Sequence, residues 1–397
     1  MSSMRLATLL LASSLIVMAA AAIAPALPAI SYHFRETPNI DFWARSMITL
    51  PALFIAIGAW ASGLLVDRYG RRKFLISGLI AYGAFGGAGL GIDSIMLMML
   101  SRVGLGLSVG MIVTSTTTLI ADYYSGQERH RVMGLQGAFA QIGGVFFIGL
   151  AGALVDLYWR APFALYLLSW LIAYFVYRYL DPSPVVQRLK NEQAFPERVS
   201  LVLRGYRFDY YALMACGCFL MIVLYMIPTH MPFFLERRLE ASSTEVGLSI
   251  AMLNLFAALS ALLYKRLRLW IGCHRILGLS AFFMGAGFLL FAFAQSKFDV
   301  VVGMVTFGCG WGLVIPNIMV WVNQLASEAR RGEAVGRVST AFFSGQFLSP
   351  FFFDPLFRLF DPFRVIFFVG LSLLVLSIAC IFWSVAYHKA QKTSSIP

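Results

Sequence analysis

The sequence predicts an all-α membrane protein of twelve transmembrane helices in two pseudo-symmetric six-helix halves. Three observations carry the prediction: apolar composition, charge-free runs of membrane length, and landmarks that repeat at one offset. Of 397 residues, 59% are hydrophobic and only 13% are charged, with a mean hydropathy of +0.78. Soluble domains carry about 25% charged residues. A water-soluble core has no room for this much apolar surface, and the bilayer is the solvent that takes it.

The runs come next. Residues 46–66 and 74–92 carry no charge, yet Asp67, Arg68, Arg71, Arg72 and Lys73 crowd into the seven positions between them. A helix crossing the hydrocarbon needs about 20 apolar residues. Reading between charge clusters gives spans at 6–30, 42–66, 74–92, 94–121, 132–155, 161–180, 208–232, 245–264, 276–296, 300–322, 338–356 and 363–388. The first resembles a signal peptide in its early Arg5 and small residues. Its length and its place in the repeat make it a span instead.

Orientation follows from Lys and Arg. With both termini in the cytoplasm, most of the 31 basic residues fall inside. Only Arg35, Arg45, Arg160, Arg237, Arg238, Lys297, Arg358 and Arg364 fall outside, and Arg102 sits within a span. The expected location is the cytoplasmic (inner) membrane. The net charge of +12 is therefore topological, and no nucleic-acid partner is expected. The expected partners are the lipid bilayer, a small-molecule substrate and protons, with the chain working as a monomer. Five cysteines without C-x-x-C spacing give neither a disulfide nor a metal site. Five scattered histidines, with no H-E-x-x-H and no G-x-S-x-G, argue against an enzyme, and no cofactor is expected.

The longest polar loop divides the chain into 1–180, a cytoplasmic linker at 181–207, and 208–397. A shift of 202 residues lays Gly70 on Gly272, Gly106 on Gly308, Gly110 on Gly312, Gly134 on Gly336 and Gly143 on Gly345. Arg129 falls on Arg331 in the same register. Two like-oriented halves suit a transporter with its site at their interface.

Residues 63–75, GLLVDRYGRRKFL, resemble the loop between spans two and three of the major facilitator superfamily, G-x-L-a-D-r-x-G-r-k-x-x-l. Only Val66 departs from it. In the second half Lys265 and Leu269 stand where the first glycine and the aspartate would be. The resemblance implies a conformational latch of Gly63, Asp67, Arg68, Gly70, Arg71 and Arg72, holding the halves together on the cytoplasmic side. From the residues alone, Gly63 permits close helix approach and Asp67 suits positive helix N-termini. A purely topological charge cluster is the plainer alternative.

Residues 100–110, LSRVGLGLSVG, resemble the l-x-x-R-x-x-x-G element of proton-linked members. An arginine at mid-membrane costs about 2.5–3.5 kcal/mol, so Arg102 is expected to face a wet cavity and a partner. That partner is a substrate anion, a neighbouring acid, or a structural salt bridge. The proline of the family's span-five G-P-x-x-G-G pattern is missing, with Val145 in its place, and span one holds no acid. Asp41, four residues before Arg45, is the candidate proton carrier, with Asp93 and Asp354 the other nearby acids. Gln136, Gln141, His230, Asn254, Asn317 and Gln346 are candidate cavity residues, and Tyr225, Trp311 and Trp321 candidate stacking surfaces. The expected function is alternating-access transport of a small organic molecule. Proton-coupled export of an anionic or neutral metabolite, such as a carboxylate siderophore, leads; multidrug efflux follows, and import is third.

Overall fold

Proline and glycine set the helix boundaries. The computed structural model describes residues 2–124, 126–181, 207–326 and 331–394. The first span is α1 (Ser2–Ala21), a tight turn at Ala24–Ala26 and α2 (Leu27–His33), broken where Pro25 and Pro28 remove backbone donors. There follow α3 (Ile40–Tyr69), α4 (Arg71–Gly87), α5 (Ile95–Tyr123), α6 (Gly126–Leu157) and α7 (Leu168–Tyr179), the last preceded by a 3-10 stretch at Ala161–Leu167. Then come α8 (Arg207–Leu239), α9 (Ser243–Ala292), α10 (Lys297–Leu325), α11 (Arg331–Leu359) and α12 (Pro362–Ser394).

Among the described residues, ten helices are long and apolar enough to span, against twelve expected. Two features account for the difference. The eighth and ninth expected spans run on as α9, broken only at Gly272, where φ is 73°. The eleventh is too polar to qualify, since α11 carries Ser339, Thr340, Ser344, Gln346, Ser349 and Asp354. Apolar side chains face outward along the spans, with Leu100, Phe146, Leu262 and Phe382 all exposed. In water that surface would aggregate; in lipid it is solvated.

The contacts form two compact units. One is built from α1 to α7 with Leu220–Leu248 and Ser339–Phe352; the other holds the start of α8, Ser249–Val338 and the helices after Phe353. In the first unit, glycine lets α5 lie directly on α3. A Cβ at Gly106 would stand 2.5 Å from the Pro51 carbonyl oxygen, and one at Gly110 would strike Gly58 and Ala59. Buried hydroxyls fasten neighbouring helices: Tyr82 donates to the Leu15 carbonyl (2.8 Å) and Ser169 to that of Leu79 (2.9 Å).

The second unit repeats the same contact. Gly308 abuts the Leu253 carbonyl and Gly312 meets Ser260, and Leu253 and Ser260 lie 202 residues beyond Pro51 and Gly58. The turn glycines correspond too, with φ of 84° at Gly70 and 73° at Gly272. The repeat lies in helix contacts and backbone conformation as well as in composition. The expected linker, 181–207, lies outside the described residues except at its ends.

Candidate functional site

Gly70 turns the chain between α3 and α4 in a conformation that side chains rarely adopt. That turn delivers Arg71 and Arg72 to the first turn of α4. Arg71 forms an ion pair with Asp122 near the end of α5, both side chains being almost wholly buried. It also reaches the Thr118 carbonyl at 3.3 Å. Arg72 donates to the Tyr177 carbonyl and lies 5.2 Å from that ring's centroid. At the same end Arg5 pairs with Asp181, whose carbonyl accepts from the Tyr123 hydroxyl at 2.6 Å.

These arginines tie α4 to α5 and α7, within the first six spans. Asp122 is a partner that sequence reasoning missed; its signal was an acid at the cytoplasmic end of span four. Gly63 is exposed with no atom within 4 Å of an added Cβ, so the expected close helix approach is absent there. Asp67 and Arg68 end α3, and their side chains lie outside the described residues.

Arg102 differs from expectation in its surroundings. It is 0% exposed, packed between α4 and the stretch leading into α7. Its guanidinium carbon lies 5.1 Å from the Phe163 ring centroid and 5.4 Å from that of Tyr166. One Nη donates to the Gly86 carbonyl at 3.2 Å, while Nε and the other Nη have no hydrogen-bond partner among the described residues. The cation is held by aromatic faces and a backbone dipole, with neither a wet cavity nor a carboxylate around it. The glycine-rich α4 and the 3-10 turn that follows it, Ala88–Leu90, make this cage by letting Tyr166 pack against Gly86 and Phe163 against Gly89.

The neutral polar candidates divide. Asn317 is fully buried and donates to the Cys273 carbonyl at 2.9 Å, bracing the chain beside the Gly272 break. Asn254 bonds its own helix at the Ile250 carbonyl. Gln136 donates to the Thr116 hydroxyl at 3.3 Å, joining α6 to α5. Gln141 is half-buried on α6. Gln346 is buried beside the half-buried Tyr225, and its Nε2 has no partner among the described residues. Of the stacking candidates, Trp311 and Trp321 are both buried, and Trp321 packs on His274 at 4.2 Å.

At the opposite end, Asp41 accepts from Arg237 of α8 at 3.3 Å, and Arg45 lies over the Phe233 ring at 4.7 Å. A cleft of about 620 Å³ there is lined by Tyr32, His33, Arg35, Glu36 and Trp159. Beside it Asp93 accepts from Arg160 at 2.6 Å and pairs with His33 at 2.8 Å. The His33 hydrogen bond, aided by the charge of Arg160, holds the Asp93 carboxyl below its usual range against a smaller opposing effect of desolvation. Sequence reasoning saw Asp93 only as a nearby acid.

Outward-facing apolar side chains, glycine-mediated crossings and a duplicated helix architecture define the class: a polytopic helical membrane protein. The chain belongs to the Major Facilitator Superfamily, whose family model matches residues 9–350. A putative proline/betaine transporter of Staphylococcus aureus is 28% identical over 309 residues, covering 69% of this chain and 64% of that protein. A probable 4-methylmuconolactone transporter of Cupriavidus pinatubonensis is 26% identical over 208 residues, covering 50% of this chain and 48% of that protein. The chain thus spans less than two thirds of the length of these relatives. Among solved structures, a D-xylose–proton symporter superposes with a TM-score of 0.79 at 16% identity, covering 95% of this chain and 96% of the other. That likeness is one of fold.

Proposed function

We propose that this chain carries a small, polar, net-neutral organic metabolite across the cytoplasmic membrane by alternating access, coupled to protons, with export as its direction. The observation that carries the substrate class is the burial of the charges placed well inside the spans. Arg102 is 0% and Asp354 4% exposed, while Gln136, Gln141, Tyr225 and Asn254 remain half-buried. A guanidinium enclosed by Phe163 and Tyr166 is not available to grip a substrate carboxylate. Neutral hydrogen-bonding groups suit a solute without net charge, zwitterions included. The name of one relative, a putative proline/betaine transporter, supports that size and polarity. Proton coupling rests on the resemblance of residues 100–110 to proton-linked members. Efflux of drugs is the second reading, favoured by a Bacillus subtilis relative named Multidrug resistance protein 1, 20% identical over 273 residues.

The division at 181–207 into two six-helix halves is the frame for this mechanism. Asp41 is the proposed proton carrier, because its protonation releases Arg237 and frees α3 from α8. Asp67 and its basic neighbours are the proposed cytoplasmic latch, with the Arg71–Asp122 pair fixing the loop. Flux in proteoliposomes of defined orientation tests all three parts. Betaine, proline and neutral lactones are expected to move outward under an inward proton gradient and to stop when an ionophore collapses it. Asp67→Asn is expected to lower flux about tenfold with normal insertion, and Asp41→Asn to retain exchange while losing gradient drive. Transport of net anions alone, or of hydrophobic cations alone, contradicts the substrate class.

A further inference from the structure

We propose that Asp156 is a gating residue: its carboxylate caps the N-terminus of α9 from the neighbouring helix α6 and locks the two together at the end assigned to the outside. The proposal rests on the alternating-access reading above.

The first N–H groups of any helix have no partner within it and carry partial positive charge. At α9, Ser242 and Glu245 satisfy part of this need locally. The Ser242 N–H donates to the Glu245 carboxylate at 2.8 Å, and the Glu245 N–H to the Ser242 hydroxyl at 3.3 Å. The next donors are met from outside the helix. Ser243 N–H reaches Oδ1 of Asp156 at 3.0 Å, and Thr244 N–H reaches Oδ2 at 3.0 Å. The Thr244 hydroxyl donates to the same Oδ2 at 2.5 Å. One carboxylate on the last turn of α6 therefore takes three hydrogen bonds from α9 and sits at its positive end.

Glycine brings the two backbones together one turn away. A Cβ at Gly152 would stand 2.5 Å from the Ser243 carbonyl oxygen, and one at Gly247 would stand 2.9 Å from that of Ile148. The turn leading into α9 is held as well. Glu240 has φ of 48°, a strained value for a side-chain-bearing residue, and Ala241 N–H returns to the Leu235 carbonyl at 3.2 Å. These features fix the start of α9 where Asp156 meets it.

The contact joins a helix of the first six spans to one of the last six. Alternating access requires such contacts to part when this face opens. This one is built to part: Gly152 and Gly247 interdigitate no side chains, and Asp156 is exposed, so water replaces its hydrogen bonds on separation. It is also the counterpart, at the other end, of the role proposed for Asp67.

The test places spin labels at Leu157→Cys and Leu248→Cys, both exposed, in full-length protein from which the native cysteines have been removed. Electron–electron distances are measured in lipid nanodiscs. The chain with Asp156 intact is expected to give one dominant short distance. In Asp156→Ala the longer-distance population is expected to rise about tenfold, as loss of a helix cap allows, and Asp156→Asn to fall between them. Gly247→Leu, which keeps the carboxylate but wedges the helices apart, is expected to shift the same population. Unchanged distances in monodisperse Asp156→Ala and Gly247→Leu overturn the lock. A distance shift in protein that moves no solute supports the lock and sinks the transport reading instead.

Discussion

At the scale of single residues, the protein places charge by satisfying it locally. Arg102 is the sharpest case: a cation two turns into a span, enclosed by Tyr166, Phe163 and the Gly86 carbonyl, with two of its nitrogens unpartnered among the described residues. Replacing buried charge with apolar volume is often neutral, whereas removing volume leaves a cavity. Arg102→Met is therefore expected to change stability by no more than about 1 kcal/mol. Arg102→Ala should cost about 2–4 kcal/mol. Neither should alter substrate affinity by more than about twofold, and thermal melts beside binding isotherms check both. Lost affinity at unchanged stability would return Arg102 to the substrate site. Asp93 gives the pH dependence. Its carboxyl lies below its usual value in the folded chain, so its contribution to stability is full above about pH 4. That contribution is lost as pH falls through the folded value. Melting temperature measured down that range should fall more for the native chain than for Asp93→Asn. The effect is small because the group is exposed.

At the scale of elements, glycine writes the architecture. Gly70 and Gly272 adopt the same positive φ, and nothing lies within 4 Å of a Cβ at either. Alanine there meets backbone strain alone, of about 1–3 kcal/mol. Gly70→Ala and Gly272→Ala are thus expected to destabilise the chain by similar amounts, read from unfolding in detergent. A large difference would undo the equivalence of the two turns. These positions also mark how far the sequence could be read. Helix class and the offset of 202 residues were legible because charge and glycine are scarce signals in an apolar chain. The helical extension through Lys265, Arg266 and Arg268 as far as the Gly272 break was not, since those residues look like a loop. The polarity of α11 likewise kept it below the hydropathy of a span. Among the candidate site residues, the basic turn of the latch was legible and its buried partner Asp122 was not, because an acid at a helix end gives no hint of which cation it meets. The cage around Arg102 was hidden for a related reason. Phe163 and Tyr166 are distant in sequence, and aromatic residues occur throughout.

At the scale of the whole molecule, the proposed transport of a neutral solute rests on where the charges lie. Charges are paired at the helix ends, as in Arg71 with Asp122, Arg5 with Asp181, Asp41 with Arg237, and Asp93 with Arg160. The charges placed deeper are buried. In the proposed cycle, exposed hydrogen bonds at the helix ends are exchanged, and the α6–α9 contact at Gly152 and Gly247 parts with them. The chain belongs to the Major Facilitator Superfamily, and the burial of its deeper charges is what supports the proposal of a net-neutral solute. The most direct test is counterflow in proteoliposomes preloaded with betaine, proline or a neutral lactone, against preloading with a dicarboxylate of similar size. The account predicts accumulation of labelled solute with at least one net-neutral preload, none with the dicarboxylate, and the same pattern in Arg102→Met. Counterflow driven by the dicarboxylate and abolished in Arg102→Met would contradict it.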